Sequence, residues 1–390
     1  MRVKQLCHKL LSKTNIHKKR LAVISEIVET IVIAKTLSVT SIGRKIKNTN
    51  QTRSNIRKTD RLYSNKHLYS ERTTIYSAIC QSLINSESPF IIVDGSKLPN
   101  SPWYILRASL VNKGRAITLY EHQYGSKEQC DRKLYKTFLD GLEDVLGDNI
   151  KPILITDAEF RGPWFELVRN RGWNFVGRIR GNANVALGDV DEPDDWHDLW
   201  ENASEKPKKL GSGYFNKQDE IAGYFYLYKS GPKGRHAHTR TGRKSKTIKS
   251  NRHKASAIEP WLIISSLDES AHYIIRAYQF RMSIEENFRD MKSGRYGFGL
   301  RMTFSKKKSR YAIMLLVAAL ASMIAYLIGT AGERKGLHRQ FQANSTTKRR
   351  VLSRFFLGCE LAYKDVTFRA AEWGETIEYL QQEIFACFTA

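Results

Sequence analysis

The sequence predicts an α/β fold with helical regions at both ends, on three observations. Short β-branched runs alternate with helical patterns through the middle of the chain, two of those runs (PFIIVDGSK and PILITDAEF) lead into acids, and the flanking segments show helical periodicity. With 390 residues, 41% of them hydrophobic, the chain can bury a sizeable core and suits one large domain with appendages, or two to three domains. Its 9 Pro and 25 Gly exclude a collagen-like or low-complexity chain. The balance of 64 Lys+Arg against 39 Asp+Glu leaves a formal net charge of +25, which points to nucleic acid or an anionic membrane surface. An acidic metabolite would need far less.

Residues 1 to about 85 read as basic and helical. Apolar residues recur at helical spacing from Leu21 through Ile24, Ile27, Val28 and Ile31 to Val32. Ser38 or Thr40 could cap a helix over Ser41–Ile46. A further helix from Gln51 to Tyr63 places Arg53, Arg57 and Arg61 four apart on one face. Short helices with cations on one side resemble a helix-turn-helix DNA reader, and a solvated helical bundle is the plainer alternative.

The middle changes character. PFIIVDGSK, WYILRASLV and AITLYEHQY read as three closely spaced strands, hence antiparallel hairpins, with Asp94 closing the first apolar run. A helical pattern follows from Lys127 to Leu146, then the strand PILITDAEF with Asp157 at its end, a helix over Trp164–Asn170 and the strand NFVGRIRG. The order β-β-β-α-β-α-β is that of a ribonuclease-H-like domain. From about Gly181 to Ala257 the pattern is interrupted by an acidic stretch with Trp196 and Trp200, two strand-like runs, and a loop whose Lys233–Lys254 portion holds nine Lys/Arg and no acid. Such a loop suits phosphate contacts or plain solvation. PWLIISSL then reads as a strand, Ser270–Lys292 as a single helix, and the chain ends in amphipathic helical patterns, either interacting or capping. The expected divisions are a helical DNA-binding domain over 1–85, a ribonuclease-H-like catalytic domain over 86–330 with a β-strand-rich insertion at about 182–257, and a helical C-terminal region over 331–390.

The uncharged stretch Tyr311–Thr330 is long enough to span a bilayer, but its isolation in a globular pattern favours a buried core helix. The five cysteines are scattered, with no CxxC and no zinc-like spacing, so a reducing compartment is expected. No secretory signal opens the sequence, and a cytoplasmic, nucleoid-associated place follows as an expectation.

Chemistry concentrates in a few residues. Asp94 and Asp157 sit where a strand delivers a side chain to the sheet edge; each alone would read as a turn or cap residue. Two such carboxylates with a third on a later helix suit a hard divalent cation, and a pair of Mg²⁺ ions about 4 Å apart can promote phosphodiester chemistry. The third acid is Glu285. In a continuous helix Tyr278, Arg281, Glu285, Phe288 and Lys292 advance by three or four and share one face, an acid flanked by cations and a hydroxyl. An exposed salt-bridged face is the alternative.

The spacing Y-x2-R-x3-E-x6-K over Tyr278, Arg281, Glu285 and Lys292, preceded by Asp94 in VDGS and Asp157 in ITDAEF, resembles the signature of the insertion sequence 4 family of DDE transposases. The resemblance covers nearly the whole chain. It implies a catalytic and metal-binding triad of Asp94, Asp157 and Glu285, holding two Mg²⁺ ions with Mn²⁺ as a substitute, and cut-and-paste chemistry through a DNA hairpin. It also implies that Tyr278, Arg281 and Lys292 touch DNA, that Trp261 stacks a flipped base, and that a homodimer holds two transposon ends in a synaptic complex before joining them to target DNA. Arg178 and Arg180, closing the strand after Asp157, could hold phosphates. Glu286 beside Glu285 makes a register ambiguity that the signature spacing resolves toward Glu285, since neighbours on a helix point about 100° apart. Two rivals are a DNA-binding protein without catalysis, against which the complete triad argues, and a membrane-anchored basic protein.

Overall fold

The computed structural model describes residues 2–180, 185–188, 200–215, 221–231, 247 and 259–389. The long basic loop, Trp196 and most of the acidic stretch lie outside them. The chain forms two compact units, one of Met1–Lys151 with Met282–Ala390 and the other of Pro152–Arg281. The N-terminal and C-terminal helical regions expected from the sequence both belong to the first unit.

That unit begins with six helices: α1 (Val3–Leu11), α2 (Lys18–Ala34), α3 (Val39–Lys45), α4 (Thr52–Tyr63), α5 (Lys66–Ser70) and α6 (Arg72–Leu83). The apolar stripe on α2 is buried as its period predicts, with Ile24, Ile27, Val28, Ile31 and Val32 fully covered. Ser38 does stand at the N-cap of α3, yet its hydroxyl meets that of Thr40 rather than a helix N–H. Helices α3 and α4 approach so closely that a Cβ on Gly43 would lie 2.6 Å from the Ile56 Cα.

Strands β1 (Phe90–Lys97), β2 (Trp103–Leu110) and β3 (Ile117–Gly125) follow as the expected antiparallel meander, with an irregularity at Ala108/Ser109. Helix α7 (Arg132–Leu146) starts five residues later than the periodicity suggested, because Asp131 caps it by accepting from the Lys133 N–H and a short 3₁₀ turn occupies Ser126–Glu128.

In the second unit β4 (Ile153–Thr156) runs parallel to β5 (Asn174–Ile179), with α8 (Gly162–Arg169) between them in the chain. The sheet continues antiparallel through β9 (Trp261–Ser265), β8 (Ile221–Tyr228), β7 (Lys208–Phe215) and β6 (Val185–Leu187). The described part of the expected insertion holds β6, β7 and β8. Helix α9 (Ala271–Gln279) closes the unit.

The expected single helix over Ser270–Lys292 is a correction: it is two. After α9, the Phe280 N–H reaches the Ala277 carbonyl and the Arg281 N–H the Tyr278 carbonyl, and α10 (Met282–Lys292) begins anew. These i→i−3 bonds overwind the backbone and interrupt the 3.6-residue period, so the four signature residues and Phe288 do not lie on one continuous helix. No Gly or Pro marks the break.

The uncharged stretch lies in α11 (Lys308–Arg334), and 94% of its most apolar window is buried. It is a core helix of the first unit, packed against α2, β3 and the following helices α12 (Arg354–Tyr363) and α13 (Ala370–Thr389). Gly329 and Gly358 form the crossing of α11 with α12: a Cβ on either would overlap a carbonyl oxygen of the facing helix. Gly358→Ala is expected to destabilise the protein by about 3 kcal/mol or more, since backbone cannot yield as a side chain can. Gly374→Ala on α13, where nothing lies within 4 Å, should be neutral or slightly stabilising; urea unfolding of the two variants checks the contrast.

Candidate active site

In the first unit, β1 delivers Asp94 at the end of its buried run. The carboxylate is almost buried, and its Oδ1 accepts the Gly95 N–H at 2.8 Å. Strand alternation puts Ser96 on the same face as Asp94. The Ser96 hydroxyl accepts a hydrogen bond of 2.5 Å from Lys292 Nζ, at the end of α10. The ammonium also lies 5.3 Å from the centre of the Phe288 ring. Burial, joined by repulsion from Arg107 and Arg301 and opposed by Asp94, pushes the Lys292 amine down from 10.5 to about 8. The other sequence-predicted residue here, Glu285, is exposed in the first turn of α10. Its neighbour Glu286 meets Arg115 at 3.2 Å and also Arg289.

In the second unit, Asp157 follows β4 half-buried, its Oδ1 accepting the Glu159 N–H at 2.9 Å in a local turn. Around it gather Tyr278, Arg178 and Arg281. The Tyr278 phenol is buried, and its pKa is raised first by burial and further by Asp157, while Arg281 and Arg178 oppose the rise. It therefore stays protonated, a donor that can face an anion. Trp261 is half-buried between two tyrosines: its ring sits edge-on to Tyr278 at 5.0 Å and 5.4 Å from Tyr228, its cross-strand partner.

Arg178 and Arg180 do come together, but on Glu259. Arg180 Nε donates to Glu259 Oε1 at 2.8 Å, Arg178 Nη2 lies 3.4 Å from the same carboxylate, and Arg178 also donates to the Pro260 carbonyl. One carboxylate, two residues before β9, thus already holds both arginines and offsets one of their two charges. Composition gave no sign of Glu259, because its partners are 79 and 81 residues upstream in sequence.

Arg53, Arg57 and Arg61 are all exposed along α4, whose opposite face buries Asn55, Thr59, Leu62 and Tyr63. The amphipathic split leaves the cations free to meet a phosphate backbone. Sequence reasoning also missed Ser96, which was visible in VDGS only as the residue two beyond an acid, and Arg107, which register places opposite Asp94.

As oxygen donors, the three candidate acids fit a hard divalent cation. Among the described residues no three His, Cys, Asp or Glu side chains gather into one metal-holding group; Asp94 and Glu285 lie in the first unit and Asp157 in the second. Of the five cysteines, four are buried and Cys130 is exposed.

The family profile described as transposase DDE domain matches residues 89–324. No curated protein matches the chain.

Lys292 makes the site's electrostatics testable. Since its folded value of about 8 lies below the ordinary 10.5, the unfolded chain holds more protons between those pH values. Stability relative to Lys292→Met should therefore rise as pH increases through that window. Amine acylation of Lys292, followed by mass spectrometry, should show a midpoint near 8, moving lower in Asp94→Asn because an attraction is removed.

Proposed function

The chain belongs to the transposases with a DDE domain, enzymes that act on DNA, and on that premise we propose that it moves a DNA segment by cut-and-paste transposition. The observation that carries the reading is the ordered series Asp94, Asp157, Tyr278, Arg281, Glu285 and Lys292, all within the matched residues 89–324. The DDE domain brings with it a ribonuclease-H-like α/β fold, consistent with the observed order of β1–β2–β3–α7–β4–α8–β5. We place the chain in the insertion sequence 4 family, on the signature spacing and the strand-rich insertion between the second and third acids; it is similar to the transposase of transposon ten.

In this reading Asp94, Asp157 and Glu285 are the ligands for divalent ions, which this family generally uses, and Mg²⁺ is the expected one, with Mn²⁺ able to substitute. Bound in pairs, the ions supply activation of water and stabilisation of the leaving 3′-oxygen. The protein's own groups do the placing. Lys292 and Arg281 offer cations to phosphates, and the protonated Tyr278 offers a donor. The half-buried ring of Trp261 offers a stacking surface for an extruded base. Arg178 and Arg180 would reach phosphate by exchanging Glu259 for it.

The reaction is four in-line displacements at phosphorus: water frees a 3′-OH at the transposon end, that hydroxyl attacks the opposite strand to form a hairpin, water reopens it, and the 3′-OH joins target DNA. Two ends must be held together, so the active form is a homodimer on DNA. The exposed arginines of α4 read or grip the terminal repeat. Such a protein works beside the nucleoid in a bacterial cytoplasm.

The test is cleavage of a DNA fragment carrying the element's own terminal repeat, resolved on denaturing gels. Wild type should nick and then form a hairpin only with Mg²⁺ or Mn²⁺. Asp94→Ala, Asp157→Ala and Glu285→Ala should each lose at least about a thousandfold in rate, the several kcal/mol carried by metal assistance, while still binding the end. Trp261→Ala should nick normally and slow at the hairpin. Arg53, Arg57 and Arg61 changed together to Ala should weaken end binding and reduce its salt dependence by roughly one unit of slope for each phosphate no longer neutralised. End binding without cleavage in the wild type would leave a DNA-binding protein and end the catalytic reading.

A further inference from the structure

Beneath Asp94 and α10 lies a buried polar cross-link that none of the chemistry above uses. Antiparallel register aligns Asp94 on β1, Arg107 on β2 and Glu121 on β3 in one row across the sheet. Arg107 and Glu121 are 3% and 4% exposed. Arg107 donates to Glu121 Oε1 from Nε at 2.8 Å and from Nη2 at 2.6 Å, and the second carboxylate oxygen accepts from the Tyr76 hydroxyl of α6 at 3.1 Å. The far side of the guanidinium belongs to α10. Nη1 donates to Asn287 Oδ1, Nη2 meets the Met291 sulfur, and Cζ stands 4.4 Å over the Phe288 ring.

One side chain thus touches three residues spanning a full turn of α10. Asn287 is held from two more directions, accepting from the Thr118 hydroxyl at 3.1 Å and donating to the Ala116 carbonyl at 3.1 Å. An apolar contact face of Ile284, Phe288 and Met291 alone would let a helix slide or rotate, because dispersion contacts have little directionality. Fixed donors and acceptors remove both freedoms. Nor is stability a sufficient reason for the pair, since a buried ion pair replaced by packed apolar groups is often as stable or more so.

We propose that Arg107, locked by Glu121, is a positioning residue that fixes α10, and with it Glu285 and Lys292, against the strand carrying Asp94. The role of the acids rests on the transposase reading above; the tether itself does not. Glu285 stands two residues before Asn287 and Lys292 one after Met291, so a rotation of α10 moves both. Arg107 does not itself touch DNA or metal in this assignment.

The test uses the full-length protein as wild type, R107M/E121L and R107K. The double variant replaces the pair by apolar groups of similar reach, and the lysine keeps the charge but has no fork to hold Glu121 and Asn287 together. Three measurements are made: urea unfolding, amide hydrogen exchange of α10 compared with β1–β3, and Mn²⁺ binding by titration with end DNA present. The expected result is a cooperative double variant whose α10 amides exchange about tenfold faster or more than those of wild type while the strands are unchanged, and whose Mn²⁺ affinity falls about 10-fold to 100-fold, as when groups orienting metal ligands are removed. R107K should lie between, and it carries the test if the double variant does not fold. Unchanged exchange in α10, equal acceleration in the strands, or wild-type Mn²⁺ affinity would each overturn the proposal. Wild type that binds Mn²⁺ yet never nicks DNA would sink the catalytic reading while leaving the tether measured.

Discussion

The burial of α11 is the constraint on which the first unit depends. A helix from Lys308 to Arg334, uncharged from Tyr311 to Thr330, has no amphipathic face and must be covered all round. That requirement draws α2 from the N-terminal region, β3 from the middle and α12 and α13 from the C-terminal region onto one axis. Gly329 and Gly358 let the backbones of α11 and α12 close to contact. The polar fringe of this core is paired rather than bare: Arg354, 6% exposed, lies between Glu333 and Glu383 beside the Tyr326 hydroxyl. A segment that by composition could enter a bilayer is thereby a structural spine.

Charge is handled differently in the interior and at the surface. A chain of net charge +25 cannot pair every cation internally. On α4 the arginines are left to solvent, where repulsion among them is screened and a polyanion can replace the counterions. Near Asp94, by contrast, the cations are few and fixed: Lys292 by the Ser96 hydroxyl and Arg107 by Glu121 and Asn287. Burial, partial at Lys292 and nearly complete at Arg107, makes each interaction there stronger than it would be on α4. Under the proposed function, a fixed Lys292 next to Asp94 suits a site where negative charge develops on phosphate oxygens. Glu259 plays a similar part in the second unit, holding Arg178 and Arg180 together.

Much of this was legible residue by residue. The meander of β1–β3 followed from three apolar runs with short connections, α4 from its arginine stripe, and β4 from PILIT running into an acid. The break between α9 and α10 was not legible: Tyr278-Gln-Phe-Arg281-Met is helix-compatible throughout, and only the i→i−3 bonds at Phe280 and Arg281 distinguish it from a continuous helix. The late start of α7 depends on Asp131 winning the cap, a competition among neighbouring polar residues that periodicity cannot rank. Ser96, Glu121 and Glu259 went unnoticed because their partners are remote in sequence.

The sequence by itself determined the identity and order of the candidate acids and cations, because a signature is a pattern of residue types and spacing along the chain. It also determined that α11 would be a long apolar helix, since hydropathy is a local property. It could not decide between a bilayer and a protein interior, because both are apolar surroundings and select the same side chains; only the packing of α2, α12 and α13 decided that. Likewise, an arginine on a strand reads the same whether it faces water or a buried glutamate. Register settled Arg107, since which side chains meet across strands is fixed by hydrogen bonding between segments and not by either segment alone.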